Sequence, residues 1–176
     1  MCHPEKPFDS TYGVEWSGPV YTPPSLVTKW DLRFAALAET YSQWSKDPST
    51  KIGAIFVNDK NIMLSAGWNG FPRGIRDDAA SLDDRETKYK FMVHAEMNAI
   101  FNACHSGISL DGSTLYVHGL PICRECAKGV IQVGTRKVVC NWHGPLPDRW
   151  KESWQNSQVL LNEAGIETLI LNEEFY

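Results

Sequence analysis

Ser113-Thr114-Leu115-Tyr116-Val117-His118 alternates as a buried strand does; Cys123 to Val133 then forms a short helix closed by Gly134, and Lys137-Val138-Val139-Cys140 is a second strand. A helical crossover between two neighbouring strands makes them parallel. The pattern continues. A helix capped by Asp148 reaches about Ala164, Gly165 ends it, and Ile166 to Leu171 is another strand.

Upstream, Leu26, Trp30, Phe34, Leu37, Ala38, Tyr41 and Trp44 recur at three and four residues, which predicts a helix from about Ser25 that Asp47-Pro48 ends. Ile52 to Val57 and Ile62 to Trp68 flank the turn-rich Asn58-Asp59-Lys60-Asn61 and read as an antiparallel hairpin. From Asn69 to Lys90 the chain is polar and broken by glycine and proline. It reads as one long loop, its acidic part from Asp77 to Glu86 a solvated face and its glycine-rich start a place for ligand contacts. A helix from about Val93 to Cys104 follows, stopped by Gly107 and Asp111-Gly112. The expected architecture is α/β: a mixed five-stranded sheet, its last three strands parallel, with helices on both faces.

A chain of 176 residues suits one domain, here residues 25–176, preceded by an irregular arm, 1–24, that holds five prolines and could wrap the body or a neighbouring subunit. Cys2 and His3 lie in that arm, where a frayed terminus is a poor place to hold a metal. No apolar run of about 18 residues and no secretory signal are present, so a soluble, cytoplasmic protein without a membrane partner is expected. The five cysteines are odd in number and scattered, which suits thiol or metal chemistry better than a disulfide framework. A formal charge of −4 and a pI near 5.7 argue against a nucleic-acid partner; a small anion needs only a local cluster of cations.

Cys123 and Cys126 lie three positions apart in the first turn of one helix, on one side of it, where exposed amides favour thiolates. His94 opens another helix. Together they would give Zn²⁺ one nitrogen and two sulfurs and leave a coordination position open, as in catalytic zinc sites. Taken singly, the cysteines could be a redox pair and the histidine a hydrogen-bonded core residue; together, each opening a helix on either side of a strand, they favour a metal. An ion there would lower the pKa of its water, and Glu96, two residues after His94, could carry the proton from that water to a ring nitrogen and then to a leaving amine. The reaction so described is hydrolytic deamination.

His94-Ala95-Glu96 with Cys123-Arg124-Glu125-Cys126 resembles the zinc-dependent cytidine/deoxycytidylate deaminase superfamily. Ser45-Lys46-Asp47-Pro48-Ser49, Gly53-Ala54, Gly67-Trp68-Asn69-Gly70-Phe71-Pro72-Arg73-Gly74, Thr114-Leu115-Tyr116-Val117 and Ala127-Lys128 are similar to the dCMP deaminases within it, and the resemblance covers about Leu32 to Ile170. It implies a three-layer α/β/α fold and one Zn²⁺ per chain, with His94, Cys123 and Cys126 as ligands and Glu96 as proton shuttle. It further implies Asn69 as a sugar contact, the Ala95 backbone against the base, and Ser45, Lys46 and Arg73 facing either the phosphate or a regulatory nucleotide. The implied reaction is dCMP and water giving dUMP and ammonia. Activation by dCTP and inhibition by dTTP at the Gly70 to Arg76 loop, Mg²⁺ accompanying the effector, and a homo-oligomer, hexamer or dimer, are implied as well.

CMP, cytidine or cytosine is the alternative substrate, and a zinc-binding regulatory protein without activity the alternative class, against which the presence of Glu96 counts. Two departures stand out. Ile122 separates Pro121 from Cys123 where the family usually has proline directly before the cysteine, and His118-Gly119 replaces a hydroxyl residue and a bulkier neighbour.

Overall fold

The computed structural model describes residues 27–171; the arm 1–24, with Cys2 and His3, lies outside them. Its elements are α1 (Lys29–Ser42), β1 (Gly53–Val57), β2 (Met63–Trp68), α2 (Ala79–Asp83), α3 (Arg85–Phe91), α4 (Ala95–Ser106), β3 (Thr114–His118), α5 (Arg124–Gln132), β4 (Lys137–Asn141), α6 (Asp148–Glu163) and β5 (Glu167–Leu171). They build one sheet in the order β2-β1-β3-β4-β5. β1 is antiparallel to both β2 and β3, while β3, β4 and β5 are parallel, as the crossovers through α5 and α6 require.

Period-two alternation divides the core. Ile55, Tyr116, Val139 and Leu169 face Phe34 and Ala38 of α1, whereas Phe56, Leu115, Val117 and Val138 pack with α4, α5 and α6 on the other face. All five residues of β1 and of β3 are buried, so these two strands read as near-continuous apolar runs. Full burial of each large apolar side chain such as Phe56 contributes about 1.5–3 kcal/mol.

Four elements differ from the sequence expectation. Of the helix expected from about Ser25, Ser25 and Leu26 lie outside the described residues, and α1 starts at Lys29, where Thr28 and Asp31 form a capping box: Thr28 Oγ1 accepts from the Asp31 amide at 3.1 Å, and Asp31 Oδ2 accepts from the Thr28 amide at 2.9 Å. It ends at Ser42, which leaves Trp44 outside the helix, exposed and edge-on to Trp68. At the other end of the chain Pro147, not Asp148, is the N-cap of α6; Asp148 sits in its first turn and pairs with Lys151 at 2.6 Å.

The largest difference lies between Asn69 and Lys90. This stretch holds α2 and α3, nucleated by the side chains of Asp78 and Asp84, which accept from the Ser81 and Thr87 amides at 2.9 and 3.2 Å. The acidic residues read as a solvated face are thus partly helix caps. They carry Leu82 and Lys88 into buried positions.

α4 is held on β2 by three side-chain bonds to backbone oxygens. Ser65 Oγ donates to the Ala99 carbonyl at 2.7 Å, Asn98 Nδ2 to the Trp68 carbonyl at 2.8 Å, and Asn102 Nδ2 to the Ala66 carbonyl at 2.8 Å. Gly67 lies against the same helix, where a Cβ would stand 2.5 Å from the Ala95 carbonyl oxygen. The first turn of α4 is therefore fixed relative to the sheet.

Candidate active site

His94 is the N-cap of α4 and Cys123 the N-cap of α5, so two helix starts meet at the C-terminal end of β3. His94 Nδ1 lies 3.3 Å from Cys123 Sγ and 3.3 Å from Cys126 Sγ. Tetrahedral zinc with its usual bond lengths needs an N···S separation of roughly 3.5 Å. One nitrogen and two sulfurs, half-buried to buried and converging from two helix termini, fit such an ion in both spacing and donor type.

The electrostatics agree with that donor set. The bond with Cys126, together with the His94 ring and the Cys126 amide, outweighs burial and lowers the Cys123 thiol to about 4. Cys126 is pushed up strongly by its bond with the Cys123 sulfur and by burial, so one thiolate and one thiol share the site when it holds no metal. His94 is raised to about 9, chiefly by its bond with Cys123. Glu96, in the first turn of α4, is 4% exposed, and loss of solvent raises its carboxyl to about 7. A carboxyl that gains and loses its proton near neutrality beside a metal donor set has the properties of a general acid–base.

His94 and Glu96 open into a pocket walled by Ile52, Met92, Leu120, Pro121 and Trp150. Trp150 is tied down, its indole nitrogen donating to the Pro121 carbonyl at 3.0 Å. Two cations reach this pocket, Lys88 from α3 and the exposed Arg149 from α6. Neither stands out in the sequence. Lys88 donates to Asp47 Oδ1 at 3.1 Å and to the Ser49 hydroxyl, and it is one of the few buried lysines a chain tolerates because it is paired. A lysine in a stretch that reads as a loop carries no sign of this burial.

Asn69 borders the same pocket and is 4% exposed. Its side-chain oxygen accepts from the Ile52 amide at 2.8 Å and its nitrogen donates to the Thr50 carbonyl at 2.9 Å, so the amide is oriented by the backbone leading into β1. Ala95 is fully buried against β2. Ser45 is buried as well, its hydroxyl donating to the Asn69 carbonyl at 2.8 Å. Lys46 and Arg73 line a second, adjoining cleft with Trp68 and Phe71; there Lys46 pairs with Asp77 at 2.8 Å and Arg73 donates to the Asn102 side chain. Asp47 and Asn69 border both cavities.

Ile122, the additional residue before Cys123, is fully buried among the residues between the sheet and α4–α6, and its carbonyl accepts from the Ser157 hydroxyl at 2.8 Å. Because the core takes up this side chain, Pro121 still forms the pocket wall.

Residues 28–142 match the model of the cytidine and deoxycytidylate deaminase zinc-binding region. The chain is 41% identical over 143 residues to an uncharacterized deaminase in the luxG 3′ region of Aliivibrio fischeri, covering 81% of this chain and 93% of that one. With human deoxycytidylate deaminase the identity is 34% over 145 residues, 78% of this chain and 77% of that one. Among solved structures, the dCMP deaminase of cyanophage S-TIM5 in complex with dCMP and dUMP superposes with a TM-score of 0.67 at 30% identity, over 86% of this chain and all of that one. With the donor set, the buried carboxyl and more than half of its length matching one family model, the chain belongs to the zinc-binding cytidine and deoxycytidylate deaminases.

Proposed function

We propose that this enzyme hydrolyses the exocyclic amine of dCMP to give dUMP and ammonia. The observation that carries the reading is the buried Glu96 beside His94, Cys123 and Cys126, at the base of a pocket that two cations, Lys88 and Arg149, also border. His94, Cys123 and Cys126 would hold Zn²⁺, which when bound supplies the Lewis acidity that makes water a nucleophile at neutral pH. Glu96 would take one proton from the attacking water at its carboxylate and give it to the ring nitrogen, then take the second from the new hydroxyl on the ring carbon and give it to the departing amine, so that the carbonyl forms, the ring nitrogen keeps its proton and ammonia leaves. Burial, which raises its carboxyl in the metal-free site, favours its taking a proton from water.

The apolar walls, Ile52, Leu120 and Trp150, would exclude water from the base, and Asn69, which lines the same pocket, would meet the sugar. Arg149, an exposed cation lining the pocket, would take the 5′-phosphate, which separates a nucleotide from cytidine or cytosine as substrate. Ammonia release from dCMP, CMP, deoxycytidine and cytosine, with zinc content measured on the same sample, tests this. Arg149→Met should raise KM for dCMP at least tenfold and leave deoxycytidine unaffected. A wild-type preference for unphosphorylated substrates would overturn the choice of dCMP while leaving deamination intact.

The second cleft supports regulation by dCTP and dTTP, since it offers Lys46 and Arg73 to phosphates and Trp68 and Phe71 to a base, and shares Asp47 and Asn69 with the catalytic pocket. Mg²⁺ would accompany the triphosphate. Loss of any dCTP or dTTP effect on wild-type rates would remove this part of the reading. Exposed Trp44, Tyr89, Phe91 and Phe101 supply apolar surface for self-association into a homo-oligomer, which light scattering on the full chain measures directly. No helix among the described residues is long and apolar enough to cross a membrane.

A further inference from the structure

His118 ends β3, and His143 follows the end of β4 by two residues. Because β3 and β4 are parallel with His118 aligned to Asn141, both histidines leave the sheet at one edge. Gly53 is aligned with His118 on the other side, and a Cβ at Gly53 would overlap the Ala38 carbonyl of α1. This close approach lays the last turn of α1 over the same edge and brings Glu39 to it.

Ligand atoms of Glu39, His118 and His143 all lie within 4.8 Å of one another. The two imidazoles stand edge to face with centroids 5.6 Å apart. His118 is buried, and its Nδ1 lies 3.2 Å from the Asn141 side-chain nitrogen; with that amide turned so that its oxygen faces Nδ1, the ring donates there and presents Nε2 to a metal. The Glu39 carboxylate makes no ion pair within 4.0 Å among the described residues.

We propose that Glu39, His118 and His143 form a second binding site for a divalent metal of the zinc class, separate from the cysteine site. Two imidazoles and one carboxylate are the donor set such borderline ions take, whereas Mg²⁺ and Ca²⁺ prefer oxygen alone. A tetrahedral ion with N and O ligands draws them to separations of roughly 3.3 Å. The contraction from 4.8 Å falls on His143, exposed in the loop after β4, and on Glu39, half-buried on a flexible stem, while His118 stays in place. Burial lowers the His118 pKa, which keeps its ring neutral and able to ligate.

The site has a structural consequence for catalysis. From His118 the chain runs through Gly119, whose amide donates to the Asn141 carbonyl at 2.9 Å, and reaches Cys123 four residues later. An ion joining α1, β3 and the β4 loop would brace the segment that carries Pro121 and Cys123.

Full-length wild type, His143→Ala and Glu39→Ala are stripped with chelator, reloaded with excess Zn²⁺, desalted and assayed for bound metal by mass spectrometry, with calorimetric titration of the stripped proteins. Neither substitution opens the apolar core, so both chains fold. The wild type should bind one more equivalent than either variant, and the Kd of that equivalent should rise at least tenfold in both. Equal stoichiometry and affinity in the three proteins would overturn the proposal. Because the test reads a difference, the content of the cysteine site does not enter it.

Discussion

Gly67→Ala should slow the enzyme without replacing any residue that lines its catalytic pocket. The added Cβ would stand 2.5 Å from the Ala95 carbonyl oxygen and 2.9 Å from the Asn98 carbonyl carbon, and would press on the Ala99 amide as well. All three are backbone atoms of α4, so no side chain can swing aside. Ordinary contact begins at 3.4 Å, and relief requires the helix to move by about 1 Å from β2. Overpacking of this kind costs about 1–3 kcal/mol, or roughly 2–10 °C in Tm for a domain of this size.

The catalytic effect is larger. His94 and Glu96 ride on the first turn of α4, while Cys123 and Cys126 belong to α5, so a shift of α4 alone opens the distances between them. A displacement of about 1 Å at reacting groups costs on the order of 10²-fold in rate. Ammonia release, zinc content and thermal unfolding on one preparation would show it. Gly70→Ala is the control, since nothing lies within 4 Å of a Cβ there. A Gly67→Ala enzyme with wild-type Tm and kcat would refute the argument that backbone contact at Gly67 positions the site.

Glu96→Gln should keep its zinc and lose about 10²–10⁴-fold in kcat, because the isosteric amide cannot carry the proton; unchanged turnover would remove Glu96 from the mechanism. Loading the metal-free protein with zinc at pH 7 should release at least two protons, one from His94, which is raised to about 9, and one from the Cys126 thiol, which is held protonated by the Cys123 thiolate, with Glu96, raised to about 7, adding part of a third. Calorimetry in buffers of different ionisation enthalpy counts them, and affinity that does not rise with pH would contradict the assignment. Asp31 and Asp47 are both held below the usual carboxylate value of 3.8: against the cost of burial, Asp31 gains bonds from Thr28 and the charge of Lys137, and Asp47 gains bonds from Ser49 and Lys88. A folded-state pKa below the unfolded one means stability that is complete above pH 3.8 and is lost as pH falls through the folded values. Urea titrations should therefore show a decline below about pH 4 that Asp31→Asn reduces, at the cost of about 1 kcal/mol at pH 7 for the weakened cap.

The regular elements were legible because their signals are local. Alternation in Thr114–His118 and the spacing of Phe34, Ala38 and Tyr41 reflect which side of a strand or helix meets the core, and that can be read residue by residue. Parallel pairing of β3, β4 and β5 followed from the crossovers, whose handedness and length leave little choice. The metal donor set was legible for the same reason, each half being a short motif at a helix start.

What the sequence left open depended on partners far along the chain. α2 and α3 were missed because five and seven residues are too few for periodicity, and their caps, Asp78 and Asp84, look like any acidic surface. Lys88 is buried only because Asp47 and Ser49, about forty positions away, accept its protons. Lys46 and Arg73 resemble Lys88 in the sequence yet line a different cleft, since α3 and the approach to β1, not residue type, decide which cation borders the pocket. By itself the sequence determined the five strands, the four longer helices, their order and the candidate donor set of His94, Cys123 and Cys126 with Glu96 beside it, because backbone geometry and ligand type are local properties. Only the tertiary structure decided which cations attend that chemistry, how Ile122 is absorbed, and that Glu39, His118 and His143 meet, because burial and charge pairing arise between segments that sequence order does not bring together.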